Sequence, residues 1–369
     1  MTTVLLFLVV IVFLVVAHEF GHFLTAKAFG VKIDEFGIGY PPRAKKLFTW
    51  KGTLFSLNWL PFGGFVKIAG EEEGMDGTTS APSAKESFAQ QKMWKRVAII
   101  VAGIVANMII AILLYTASFS AGFLASPGSF PGSVQLGATQ AMIIDIVPGS
   151  PASKAGFLGG DMIRELSTPT EKLMPTSVES AIDFIHRHGT EAIAISLVRT
   201  GNTKDITVTP ALSKPGALPM IGINLAEVAE VRLPFLRAVT EGTSYTFREF
   251  GTTITTLGSL VSGLFRGDHT LVGQVSGPVG IAKFAGQAYS LGLGSFLSFM
   301  ALISVNLAVI NILPFPALDG GRIIMELFAQ KGRSKIPKKA VAVVNQVGFF
   351  ILIAIMLFVT YHDIQRLFV

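Results

Sequence analysis

Long apolar runs alternate along this chain with stretches in which apolar and polar positions trade places every one to four residues. Four of the runs are long enough to cross a bilayer as helices, which takes about 20 residues. They are Val4–Leu24, Val97 to about Phe119, about Phe296 to Leu313, and about Ala340 to Val359. The first opens with "MTT", has no positive n-region, and shows no small-residue cleavage site before its charged residues. It is therefore expected to stay as a span and not to be removed as a signal peptide. Between the second and third runs the period changes. "AMIIDIV" and "AIAISLVR" are strand-like, "TSVESAIDFIHRH" has helical spacing behind a Thr or Ser cap, and "RTGNTKDITVTP" reads as a hairpin. A small mixed α/β domain is expected over about 137–225. From Leu233 to Leu264 the pattern is semi-amphipathic, suited to the membrane surface or to packing on the spans. Gly- and Pro-rich patches at Ser126–Gly132 and around Gly273–Gly280 read as connectors.

The loop after the first run has a pattern of its own. "KKLFTWKGTLFSLNWLPFGGFVKI" reads as two apolar strands around a Lys51-Gly52 turn, closed by Pro61 and the Gly63-Gly64 pair. It is too apolar for an ordinary aqueous loop, so a hairpin over about 45–68 that dips into the membrane, shielded by the spans, fits better. The expected fold class is thus an α-helical polytopic membrane protein. It has four transmembrane helices, a membrane-associated β-hairpin and one inserted α/β domain. The parts are 1–119 (two spans and the hairpin), 137–225 (the inserted domain), 226–290 (amphipathic helices and connector) and 291–369 (the last two spans).

Composition supports this class and adds an orientation. Half of the residues are apolar and only 15% are charged, which a soluble domain seldom shows. The net charge of +6 is modest for a membrane protein and does not point to nucleic acid. Cysteine is absent, which excludes disulfides and thiolate metal sites. Basic residues cluster between spans one and two (Lys27, Arg43, Lys45, Lys46, Arg96 among others) and between spans three and four (Arg322, Lys331, Arg333, Lys335). Such loops stay in the cytoplasm, so both termini and the inserted domain are expected outside.

Polar residues inside the first run carry the chemistry. In "VVAHEFGHFLTAK", His18 and His22 stand four apart, so a helix turns both imidazoles to one side. Two such nitrogens can hold zinc, and Glu19 projects nearby, where it can take a proton from the metal's water, whose pKa zinc lowers to roughly 7. Gly21 removes bulk beside the site, which is expected to admit a substrate backbone. A third protein ligand is required. His186 and His188 belong to the inserted domain, His269 to a connector and His362 to the far end of the last span. Asp319 in "NILPFPALDGGR" is the better candidate, because Pro314 and Pro316 break the helix and Gly320-Gly321 lets the chain turn back. Taken alone, Asp319 is equally well a plain turn residue. Ionisable groups within a span are rare and default to function. Asn306, Asn311 and Asn107 read from chemistry alone as amides that hydrogen-bond between helices.

"HEFGH", "PFGGFVK", "AGIVAN", "SGPVGI" and "NILPFPALDGG", in that order and across nearly the whole chain, resemble bacterial site-2 proteases. These are intramembrane zinc metalloproteases that include the regulator of sigma-E protease. "IDIVPGSPASKAGFLGGDMIREL" is similar to a PDZ domain of that family, with room here for one such domain where the sigma-E regulator protease has two. The resemblance implies zinc (Zn2+) on His18, His22 and Asp319, with Glu19 as general base and proton shuttle. It implies substrate contact from Asn311, Pro314 and Pro316, with Asn306 shaping that region. It also implies pairing of the substrate with the hairpin near Leu54–Leu60, bringing in Leu57, Asn58, Gly63 and Gly64. The implied partners are single-span membrane proteins, such as anti-sigma factors first cut outside by a site-1 type protease, and signal-peptide remnants. The bilayer is the other partner, and the implied location is the bacterial inner membrane. The competing function is a non-catalytic PDZ receptor or scaffold that captures C-termini, which would not need His18, Glu19 and His22. Metal transport is disfavoured, since no polar stripe continues across the spans.

Overall fold

The computed structural model describes residues 2–71, 86–129, 137–189, 191–199, 201–212, 218–267, 276–329 and 338–368. His269, Gly273, Lys331, Arg333 and Lys335 lie outside the described residues. In chain order, helix α1 (Thr2–Ala28) leads into strands β1 (Ile33–Trp50) and β2 (Thr53–Ile68), then α2 (Met93–Ala121). The inserted part comprises β3 (Phe123–Ala125), β4 (Gln140–Ile146), α3 (Pro151–Ala155), β5 (Met162–Ser167), β6 (Lys172–Leu173) and α4 (Val178–Arg187). It continues with β7 (Ile193–Arg199), β8 (Asn202–Val208), β9 (Ala211–Leu212), β10 (Pro219–Met220) and β11 (Ile223–Val231). Helices α5 (Phe235–Phe265), α6 (Pro278–Ser290), α7 (Leu293–Ile312), α8 (Asp319–Ala329) and α9 (Lys338–Phe368) complete it.

Among the described residues four helices are long and apolar enough to cross a membrane: within α1, α2, α7 and α9. They coincide with the four apolar runs. Helix α9 turns Phe349, Phe350, Ile355, Leu357 and Phe358 outward, a surface that suits lipid. The chain packs as two units. One is Met1–Tyr115 with Glu241–Lys283 and Met300–Phe368; the other is Thr116–Thr240 with Phe284–Phe299.

In the first unit, Lys51 and Gly52 take positive φ, as a tight hairpin turn between β1 and β2 requires. The pair is more than a two-stranded hairpin. Glu35–Ile38 has Gly64–Lys67 on one side and Leu54–Leu57 on the other, while Arg43–Trp50 lies along the far side of Thr53–Asn58. The two strands thus bend into a sheet of four segments, ordered 43–50, 53–58, 33–38 and 64–68. An aromatic cluster fixes it to α1, with the Phe23 ring 5.6 Å from both Phe36 and Phe55.

In the second unit the main sheet runs β3-β11-β4-β5-β7-β8, with β6 beside β5. It therefore extends past both ends of the 137–225 window. Ser177 and Ser180 form a capping box at α4, whose Ala181, Phe184 and Ile185 are buried. Those three pack with Ile143, Leu166 and Ile195 from one face of the sheet.

Candidate metal centre

Helix α1 places His18 and His22 one turn apart, with ring centroids 4.8 Å from each other. Their Nε2 atoms are 3.2 Å apart. Asp319 reaches the same point from the first turn of α8, its Oδ2 lying 3.1 Å from His18 Nε2 and 3.3 Å from His22 Nε2. All three residues are buried. Asp319 arrives there because the chain reverses sharply after α7. A Cβ on Gly320 would meet the Ile312 and Leu313 carbonyl oxygens at 2.3 Å, and one on Gly321 the Phe315 carbonyl oxygen at 2.2 Å. Helix α9 braces the reversal: Gly348 leaves room for Pro316, and Asn345 Oδ1 accepts a hydrogen bond from the Ala317 N–H at 3.4 Å.

The triangle is built for a cation. His22 Nδ1 faces the Ile99 carbonyl oxygen at 2.8 Å, and a carbonyl accepts only, so Nδ1 carries the proton and the neutral ring turns a lone pair inward at Nε2. It meets Asp319 Oδ2, which is buried with no hydrogen-bond partner. Atoms so converged need a proton or a metal ion among them, and a cation can bind all three at once. Zinc bonds to nitrogen and oxygen at about 2.0–2.1 Å in a tetrahedron, which sets neighbouring ligand atoms roughly 3.3 Å apart. The observed spacings of 3.1 to 3.3 Å match. No other group of three or more His, Asp or Glu among the described residues converges in this way.

The sequence profile of peptidase family M50 matches residues 6–355. The chain belongs to peptidase family M50. It is an intramembrane zinc metalloprotease, and His18, His22 and Asp319 form its candidate zinc site. A Clostridium perfringens protein named "Putative zinc metalloprotease" is 33% identical over 358 residues, covering 95% of each chain. A Clostridium acetobutylicum protein of the same description is 30% identical over 353 residues, covering 95% of this chain and 94% of that one. The Arabidopsis thaliana "Membrane metalloprotease ARASP, chloroplastic" is 30% identical over 354 residues, covering 95% of this chain and 76% of that one.

The other predicted site residues of this M50 chain fall in different places. Glu19 is half-buried on α1, and its Cγ lies 3.6 Å from where a Gly64 Cβ would stand. The sheet thus lies beside Glu19 at Gly64, whose missing side chain matters more toward the Gly37 carbonyl oxygen, which a Cβ would meet at 3.0 Å. Gly63 is buried with φ +87°, under the Tyr40 ring. Asn306 accepts a hydrogen bond from Thr253 Oγ1 of α5 at 3.2 Å, as an interhelical amide should. Asn311 is half-buried in the last turn of α7, and Pro314 is exposed just beyond it.

Three expectations need correction. Leu54–Leu57 cannot receive an added strand, because both of its sides are already paired; the exposed Leu57 sits between Ile38 and Lys45. Asn58 is buried, and its Nδ2 donates to the Gly39 carbonyl oxygen at 3.1 Å, so its amide nitrogen serves the sheet, while its Oδ1 is buried with no hydrogen-bond partner. Gly21 does not open the site to substrate. A Cβ there would meet the Ala102 carbonyl oxygen at 2.3 Å, so this glycine lets α2 approach α1.

Some site residues escaped the sequence reading. Arg322 stands 3.7 Å from Asp319 Oδ1, on the side away from the imidazoles, and pairs with Glu71. Gly103 of α2 lies directly against the imidazoles, where a Cβ would come within 2.4 Å of His22 Nε2 and 2.7 Å of His18 Cε1. Gly103 was in view within the "AGIVAN" motif, a glycine and an asparagine four apart in an apolar run, but no local pattern says that it faces the imidazoles. Gly103→Val is expected to push the rings apart and release zinc while the protein still enters the membrane. Metal analysis of the purified variant checks this; full zinc content with wild-type turnover would show that the contact is not needed.

Proposed function

We propose that this M50 metalloprotease cuts single-span membrane proteins inside their transmembrane segments. Anti-sigma factor type substrates already shortened outside by a site-1 type protease, and signal-peptide remnants, are the substrate classes. The observation that carries the reading is a His-Glu-His set on a helix long and apolar enough to span, with Asp319 from the start of α8 converging on its two histidines. A zinc ion held there supplies Lewis acidity toward water and toward the scissile carbonyl. Glu19 takes the proton from the attacking water and delivers it to the leaving nitrogen.

A transmembrane substrate hides its amides in its own helix, so it must unwind before its carbonyl can be attacked, with no water there to take over the freed hydrogen bonds. A sheet edge can take them over. The Gly64–Lys67 segment suits this role. Its inner side is paired with Glu35–Ile38, no strand among the described residues pairs with its outer side, and Gly64 lies beside Glu19. Substrate pairing thus belongs to this edge and not to Leu54–Leu60. Asn311, Pro314 and Pro316 contact the unwound chain where α7 ends, Asn306 braces that region, and Leu57 adds an apolar side chain.

The unit holding β4 to β11 is read as a single PDZ domain of the sigma-E regulator protease type. Support comes from the edge of β11, which pairs with β3 only at Ala229–Val231 and leaves Ile223–Val228 without a strand on that side among the described residues. The N-terminus of α4 stands nearby, its Val178 N–H donating to Glu227 Oε1 at 3.3 Å. Such a groove takes an extended peptide end. Loop charge assigns this domain and both termini to the outside of a bacterial inner membrane, with the metal site toward the cytoplasm.

The test uses the purified chain in lipid vesicles with a tagged single-span substrate. Mass spectrometry of the products is expected to locate the cut within the apolar segment. With cysteine placed at Phe65, disulfide trapping is expected to capture cysteines that flank the cut. Cleavage confined to water-exposed loops would overturn the reading.

A further inference from the structure

We propose that Asn107 is a positioning residue for the metal ligand His18, and that its amide serves both the metal-free and the metal-bound ring. The proposal rests on the assignment of His18 as a zinc ligand. Asn107 lies in α2 and is completely buried. Its Nδ2 stands 3.2 Å from His18 Nδ1, and its Oδ1 is buried with no hydrogen-bond partner. An orphaned amide oxygen in an apolar helix bundle is costly, so the contact with His18 should account for its presence.

The two histidines are held differently. His22 has a backbone carbonyl at Nδ1, which fixes the proton there whatever happens at Nε2. His18 has an amide at Nδ1, and an amide presents either a donor or an acceptor according to a half-turn about its last bond. With Nδ2 inward, Asn107 donates to a bare Nδ1, leaving the proton on Nε2, 3.1 Å from Asp319 Oδ2. With Oδ1 inward, Asn107 accepts from Nδ1–H and leaves Nε2 bare, the form a metal requires. The amide can thus follow the ring through loading and release, which a carbonyl cannot. The backbone beside it is fixed as well: Ser304 Oγ of α7 donates to the Asn107 carbonyl oxygen at 2.8 Å. A ligand on the first span is in this way referred to the second and third.

Asn107→Leu, Asn107→Asp and Ser304→Ala in the full-length protein, purified in detergent, supply the test. Zinc affinity is read by competition with a chromogenic chelator, and the His18 tautomer by nitrogen NMR of histidine-labelled protein. Asn107→Leu is expected to weaken zinc about 10- to 100-fold, the range typical of lost outer partners. Asn107→Asp keeps an acceptor and is expected to recover most of that loss, with Nδ1–H dominant even without metal. Ser304→Ala is expected to weaken zinc by less than Asn107→Leu. Wild-type affinity in Asn107→Leu, or an Asp variant as weak as the Leu variant, overturns the proposal. If His22→Ala also keeps its zinc, the failure lies with the metal site itself and not with Asn107.

Discussion

Glu19→Gln is expected to abolish measurable peptide cleavage while leaving zinc in place. General base and acid catalysis by one positioned carboxylate contributes about 10²–10⁴-fold, and in the proposed mechanism the same group serves both steps. Glutamine keeps the shape and some hydrogen bonding, so the half-buried pocket beside Gly64 should not collapse. It accepts no proton, so the attacking water stays neutral and the leaving nitrogen goes unprotonated. The measurement pairs single-turnover cleavage of a tagged single-span substrate with metal analysis of the same preparation. Near-normal cleavage would remove Glu19 from the mechanism. Loss of cleavage together with loss of zinc would mean that the glutamate supports the metal and not the proton transfer.

Asp319→Ala is expected to cost the protein its zinc and, with it, all cleavage. Asp319 supplies the only carboxylate among the three converging ligand atoms. Without it two neutral imidazoles remain, and neither charge balance nor a third bond holds the ion. Affinity should therefore fall by more than the roughly 10- to 100-fold expected when only an outer partner is lost. Asp319→Asn separates charge from shape: it keeps the volume and one oxygen, so it should bind zinc weakly yet fold as the parent does. Chelator competition on both variants, with thermal unfolding to follow the fold, gives the answer. Stoichiometric zinc in Asp319→Ala would require a different third ligand.

Much of this protein is legible locally. The four spans are read from apolar length, because a bilayer accepts only long apolar helices. His18 and His22 share a side because an α-helix repeats every 3.6 residues, and the Lys51-Gly52 turn follows from the positive φ that such turns demand. Proline and glycine around Asp319 announce a reversal, although not what it reaches. Asn107 shows the opposite case. Its chemistry was visible as an amide in an apolar run, but helix-to-helix packing and ligand support use the same group, and only the rotation of α2 against α1 separates them. Gly21 was misread for a similar reason, since a missing side chain does not say which neighbour needs the space.

The sequence by itself determined the class of molecule, the spans and the residue types of the candidate zinc site, because these depend on period, length and side-chain chemistry within one segment. Only the tertiary structure decided that Asp319 closes the triangle across about 300 residues of chain. It also decided that β1 and β2 bend into four segments, in which Leu54–Leu57 is paired on both sides while Gly64–Lys67, beside Glu19, pairs among the described residues with a strand on one side only. Those outcomes depend on which surfaces meet, and meeting is set by the combined packing of many side chains that no local pattern encodes.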